Sequence, residues 1–192
     1  METFDIIISI FLGIGLAAAV GFRVFLPLLI LSLAGYYDVI TLNESWQWAG
    51  SLTAVIVMGI ATLVEIFGYY IPWFDNLLDT ISLPLATLAG TAVMVATVAD
   101  LGPVVTWTLA IIAGGGTAAA IKGNTSAARL TSSATTGGIA NPVLSTVEMG
   151  TSILMAIVSI FLPIIAFVLV LFLFFVIFRF YKKLRKKRLP RT

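Results

Sequence analysis

From Met149 to Phe178 the chain carries no charged side chain, and the run "GTSILMAIVSIFLPIIAFVLVLFLFFVIF" is almost wholly apolar with no polar alternation. Nothing constrains the fold more. In hydrocarbon, unpaired backbone N–H and C=O groups cost several kcal/mol each, so only helices or a closed barrel can cross it. Barrel strands alternate apolar and polar residues over ~10 positions. The apolar runs here are continuous over 15–20 residues, which selects helices. Apolar residues make up 60% of the chain and charged residues only 10%, against about 25% charged in soluble domains. The fold class expected is an all-α integral membrane protein.

One span needs ~20 residues. The run from Met149 to Tyr181 is too long for one, and Leu162–Pro163 marks a turn between two paired spans. Upstream, Ile6–Ala34 is also too long. It is interrupted by "GFRVFLP" and divides into Ile6–Val20 and Val24–Ala34, a kinked span or a re-entrant hairpin. "GYYDVITLNESWQW" reads as an interfacial loop, because Tyr and Trp favour the headgroup level. A span follows from Trp48 to Tyr70 and contains Glu65. "YYIPWFDNLLDTISLP" reads as an interfacial turn or amphipathic helix bracketed by Pro72 and Pro84. Further spans run over Leu83–Ala99 and Val104–Ile121, the latter containing "GGG" at 114–116. "AAAIKGNTSAARLTSSATTGG", residues 118–138, then separates this span from a helix started by Asn141 and Pro142. The count is about six transmembrane helices, with two broken or re-entrant segments over 6–34 and 104–136.

Charge sets the orientation. Eight of the eleven basic residues fall in "RFYKKLRKKRLPR", residues 179–191. The preceding 178 residues hold three bases (Arg23, Lys122, Arg129) and all nine acids. The positive-inside rule places the C-terminus in the cytoplasm, and six spans place the N-terminus there too. The chain is read as one membrane domain, 1–181, with a basic tail, 182–192, suited to anionic lipids. The acidic N-terminus lacks the basic n-region of a signal peptide. The plasma (inner) membrane is the expected location.

"GLAAAVGFR" at 15–23 resembles "GTAAAIKGN" at 116–124, and each precedes a long span and a Pro-started span. Halves 1–100 and 101–181, three spans each, would be related as an inverted repeat, as in many transporters.

Ionisable residues within spans are costly and mark function. Glu65 needs a partner, and Arg23 at the first break is the natural candidate. Asp75 and Asp79, four apart, share a helix face as an acidic interfacial pair. Ser145 and Glu148 have capping-box spacing. Gly123 is expected to interrupt the helix between Lys122 and Arg129. Asn124, Thr125 or Ser126 would then cap a new helix whose amides, beside two bases, form an anion site. The chain has no Cys and no His, so no metal site or cofactor is expected, and no motif assembles an enzyme.

"GLAAAVGFRVFLPLLILSLAG", "VEIFGYYIPWFDNLLDTI" and "GGGTAAAIKGNTSAARLTSSATTGGIANPVLSTVE" together resemble the bacterial membrane family called domain of unknown function 4126, over roughly residues 10–180. The resemblance implies a multi-pass bacterial membrane protein and brings no activity with it. On the residues alone, the expected function is a small transporter or channel. Its polar cavity would lie at broken helices and be lined by Arg23, Glu65, Lys122, Asn124, Thr125, Ser126 and Arg129, for a small anion or anionic headgroup. The alternative is a scaffold or a lipid- or partner-binding module. Lipid and a small solute or ion are the expected partners, with a second copy of the chain as another and nucleic acid not among them.

Overall fold

The computed structural model describes residues 3–99 and 101–188, and every element among them is helical. Helix α1 (Thr3–Phe22) breaks at Arg23–Val24 and is followed by α2 (Phe25–Tyr36). A 3-10 turn (Glu44–Gly50) leads at a 62° bend into α3 (Leu52–Gly68). Then come α4 (Pro72–Thr97) and α5 (Pro103–Leu109). A π turn (Ala110–Gly115) joins α5 to α6 (Gly116–Thr136), and α7 (Asn141–Phe161) and α8 (Pro163–Arg188) complete the chain. Five helical segments are long and apolar enough to cross a membrane, or six if the bent pair counts as one span. The 12-residue α2 covers ~18 Å at 1.5 Å per residue, short of the ~30 Å hydrocarbon core.

Helix α1 is the axis of the bundle. It packs on α4, α6, α7 and α8, and Leu16 to Val20 are fully buried. Small residues make this possible, since they let backbones approach closely in lipid. A Cβ on Gly21 would meet the Ala118 carbonyl at 2.9 Å, and the Ser152 hydroxyl donates to the Ala19 carbonyl at 2.9 Å. Gly90 of α4 and Gly114 of the π turn face each other so closely that a Cβ on Gly114 would lie 2.5 Å from the Gly90 carbonyl oxygen.

The contacts fix the directions of the helices. Ala19 meets Ser152 and Arg23 meets Ser145, so α1 runs antiparallel to α7. Ile30, Leu33 and Ala34 line a groove with Ile157, Ile160 and Phe161, so α2 runs back parallel to α7. The two pieces read from the sequence over 6–34 thus form a hairpin with Arg23 at its tip. Phe11 stacks on Phe167 near the start of α8, at 4.2 Å. Helix α8 then runs away from the first turns of α1 and ends basic, with the Tyr181 hydroxyl donating to Asn124 at 3.3 Å. The start of α1 and the end of α8 therefore lie at opposite ends of the bundle. This corrects the expectation that both termini face one side, because the α2 return leg was not counted.

Three other expectations change. Pro84 does not break α4, which is continuous from Pro72 to Thr97. Nearby Ser82 and Thr87 hydroxyls bond the backbone carbonyls of Asp79 and Leu83, a usual accompaniment of proline within membrane helices. Gly123 does not interrupt α6. The Ser/Thr-rich stretch stays helical, and its Thr125, Thr131, Thr135 and Thr136 hydroxyls find acceptors without leaving the helix, each donating to a carbonyl one turn back. The expected break over 104–136 is not found: Pro103–Thr136 is one continuous helical span, and the π turn at the glycines lies within it. Finally, 15–23 and 116–124 lie side by side and run toward the same end, with Gly21 against Ala118 and Ile121. The two segments are parallel, which does not fit an inverted pair.

Two outcomes follow. Gly114→Ala should lower stability by about 1–3 kcal/mol, the range for overpacking, whereas Gly116→Ala, with open space around it, should leave it unchanged or raise it; thermal unfolding in detergent measures both. The chain has no cysteine, so single cysteines at Asp38 and Ile139 should label from opposite membrane faces with an impermeant maleimide; labelling from one face would contradict the hairpin.

Candidate functional site

The basic end of the bundle gathers polar groups from five elements. Arg23 comes from the α1–α2 break, Glu65 from α3, and Tyr69 from the turn after it. Asp75 and Asp79 lie on the first turns of α4, Lys122 and Arg129 on α6, and Asn141, Ser145 and Glu148 on α7. All are buried except Asp79, whose side chain is 24% exposed. Because α6 is continuous, Lys122 and Arg129 lie two turns apart on one face.

Arg129 is the best-satisfied member. Its Nε and Nη2 donate to the two oxygens of Glu148 at 2.7–3.2 Å. Its Nη1 donates to Asp75 at 2.7 Å, and Asp79 Oδ1 lies 3.9 Å from Nε. The fork geometry of guanidinium makes such bidentate pairing specific. Asp75 is held from its other side by the Asn141 amide at 3.2 Å, which also donates to Ser133. One side chain thereby ties α4, α6 and α7 together.

Glu65 does something different. Its two carboxylate oxygens accept the backbone N–H groups of Val24 and Phe25 at 2.8 and 2.9 Å. It caps α2 from another helix, at the end where the helix dipole is positive. This explains how a chain break survives inside a membrane protein: the freed amides have an acceptor. It also corrects the expected partnership, since no Glu65–Arg23 ion pair forms.

Arg23 is 2% exposed. Its Nη2 donates to the carbonyl oxygen of Ser145 at 2.9 Å and to that residue's hydroxyl, and it stands 3.9 Å from Glu148. Its Nε and Nη1 find no hydrogen-bond partner among the described residues. Lys122, fully buried, donates to the Tyr69 hydroxyl at 3.2 Å. Tyr69 links all three bases: Arg23 and Arg129 lie over its ring at 4.0 and 4.3 Å, and Lys122 Nζ is 5.5 Å from the ring centre.

A cleft of about 490 Å³ reaches the cluster, lined by Tyr69, Tyr70, Asp75, Asn141 and the 137–139 turn. Gly137 and Gly138 have φ of +63° and +85°, the left-handed region glycine adopts freely.

The sequence candidates thus divide. Arg23, Glu65, Lys122 and Arg129 converge. Asp75 and Asp79 join them on Arg129, and so are not a solvated interfacial pair. Asn124, Thr125 and Ser126 lie mid-helix with no free amides, and the anion site expected at their helix start is absent. Glu148 pairs with Arg129 and Ser145 with Arg23, so they form no capping box; α7 is already under way by Ser145. Tyr69, Asn141, Ser145 and Glu148 were not among the site candidates. The one sequence signal for them was Glu148, an acid seven residues into an apolar helix.

Loss of Arg129 leaves Asp75 and Glu148 buried without their partner. Arg129→Ala should cost about 3–5 kcal/mol, as breaking buried ion pairs does, and Arg129→Lys should recover only part of it because a lysine cannot bridge both carboxylates. Detergent unfolding midpoints check this; equal midpoints for wild type and Arg129→Lys would contradict the fork.

A family model described as "Domain of unknown function (DUF4126)" matches residues 10–183, and the chain belongs to that family. No curated protein and no solved structure matches the chain.

Proposed function

We propose that this member of the DUF4126 family is a small multi-pass transporter or channel for a small anion or anionic headgroup, with the cluster around Tyr69 on its path. The observation that supports this most is Arg23. A buried guanidinium with two unpartnered nitrogens, Nε and Nη1, is costly unless an acceptor arrives. Lys122, beside it, has three donors and one hydrogen bond among the described residues. Each of the three Arg129 guanidinium nitrogens, by contrast, already donates to Glu148 or Asp75.

The ledger of charge is compatible with this reading. Three bases face four carboxylates, but Glu65 is engaged with the α2 amides. That leaves three against three, with the donors in surplus on the Arg23–Lys122 side. The cleft at Asp75 and Asn141 gives access from the basic end, which positive-inside logic assigns to the cytoplasm. The small residues of α1, α4 and α6 favour a rigid bundle around this path.

A scaffold role is the second reading. It is favoured by the complete Arg129 network, which has the form of a structural clamp. The two readings differ in what Arg23 does. In proteoliposomes, wild-type protein should carry a small anion such as chloride, nitrate or acetate, and Arg23→Gln should lower that flux at least tenfold while the protein remains folded. Equal flux from wild type, Arg23→Gln and empty liposomes would favour the scaffold.

A further inference from the structure

The Val24 and Phe25 amides at the start of α2 already hold an anion, the Glu65 carboxylate, at 2.8 and 2.9 Å. The preceding residue is Arg23, 98% buried, with Nε and Nη1 lacking any acceptor among the described residues. A helix break needing only a permanent cap has no use for a buried arginine with unmet donors on the adjoining residue. Those donors and the amide pair belong to consecutive residues, and the acceptor that the amides already hold is of the kind the Arg23 donors lack.

We infer that the α2 amide pair together with Arg23 is the anion-binding site of this protein, and that Glu65 is a tethered ligand which a substrate anion displaces. This rests on the transport reading above and names its site. The ligand class is a small monovalent anion of carboxylate or halide size, because the two amides already hold a single carboxylate. With Glu65 seated, the break is closed and α2 is fixed on α3. When an external anion takes the amides, the Glu65 carboxylate swings off and the hairpin tip loses its tie to α3. Binding and loosening of the broken helix are then one event, and no covalent step is involved.

The charged and titratable neighbours support exchange rather than simple occupation. Tyr69, one turn after Glu65, carries the Arg23 guanidinium over its ring at 4.0 Å. Lys122 approaches from α6, and Glu148 and Asp79 stand beyond them on α7 and α4. A displaced Glu65 would leave the amides among Arg23 and Lys122, a cationic environment for the incoming anion. Arg129 is held away by its own carboxylates.

The test is chemical rescue of the full chain in detergent. Glu65→Ala removes the tethered ligand and should lower the unfolding midpoint. Sodium acetate and sodium chloride, at constant ionic strength against sodium gluconate, should restore it, with an apparent Kd at least tenfold below that of wild type. Adding Arg23→Gln should abolish the rescue. Should Glu65→Ala not fold, Glu65→Gln keeps the side-chain volume and should show the same tenfold gain in acetate affinity. Acetate and chloride midpoints no different from gluconate, in either folded variant, would overturn the inference. So would rescue that persists undiminished with Arg23→Gln. If wild type carries anions in liposomes yet Glu65→Ala binds none, the site assignment fails and the transport reading stands. If Glu65→Ala binds anions but no flux exists, the transport reading fails and the binding site stands.

Discussion

Seven ionisable side chains meet at one end of this bundle, and a hydrocarbon environment forces them to satisfy one another. Six are buried and Asp79 is half-buried. The rest of the structure follows from how they do it. Arg129 draws α4, α6 and α7 together through Asp75 and Glu148. Glu65 draws α3 to the start of α2. Arg23 holds the hairpin tip against α7 through Ser145. Tyr69 fills the space among the three cations with a ring face and a hydroxyl that accepts from Lys122. Away from this centre, the bundle is built on small residues along α1 and on apolar side chains that α8 turns outward, such as Phe172, Phe175 and Phe178.

The cluster combines two kinds of pairing with different consequences. The Arg129 network is tightly paired at Asp75 and Glu148, each of which accepts from its guanidinium, and the energy of losing one partner is large. The Arg23 region is less completely paired, because a buried guanidinium retains unused N–H groups beside a chain break whose amides are held by the Glu65 carboxylate. A closed clamp beside an open donor set is an arrangement that can change occupancy without losing its fold. In broken-helix transporters, substrates are held by helix ends in this way.

Much of the outline was legible in the sequence. The apolar runs gave the spans, the Leu162–Pro163 turn lies where its residues place it, and "GFRVFLP" marked the first break. Four charged residues singled out for being costly in lipid do converge. Topology was misread where a short return leg, α2, escaped a count based on full spans. The stretch 118–138 was misread for a different reason. Gly, Ser and Thr mark loops in water, where their hydroxyls compete for the backbone. Here those hydroxyls bond carbonyls within the same helix. Pro84 and Gly123 interrupt helices in water, but both lie exposed within continuous helices here, where lipid offers the backbone no other partner. Tyr69 and Asn141 carried no sequence signal at all, since a tyrosine near an interface and an asparagine before a proline have common, bland roles.

The central claim is that the unmet donors of Arg23 and the α2 amides await an anion. Bromide is the most direct probe, because its anomalous scattering locates it without ambiguity. Crystals of the full chain grown in sodium bromide should show a bromide peak within hydrogen-bond distance of Arg23 and of the Val24 or Phe25 amide, with Glu65 turned away. A bromide-free site, with Glu65 still seated on both amides and Arg23 still lacking acceptors, would contradict the account.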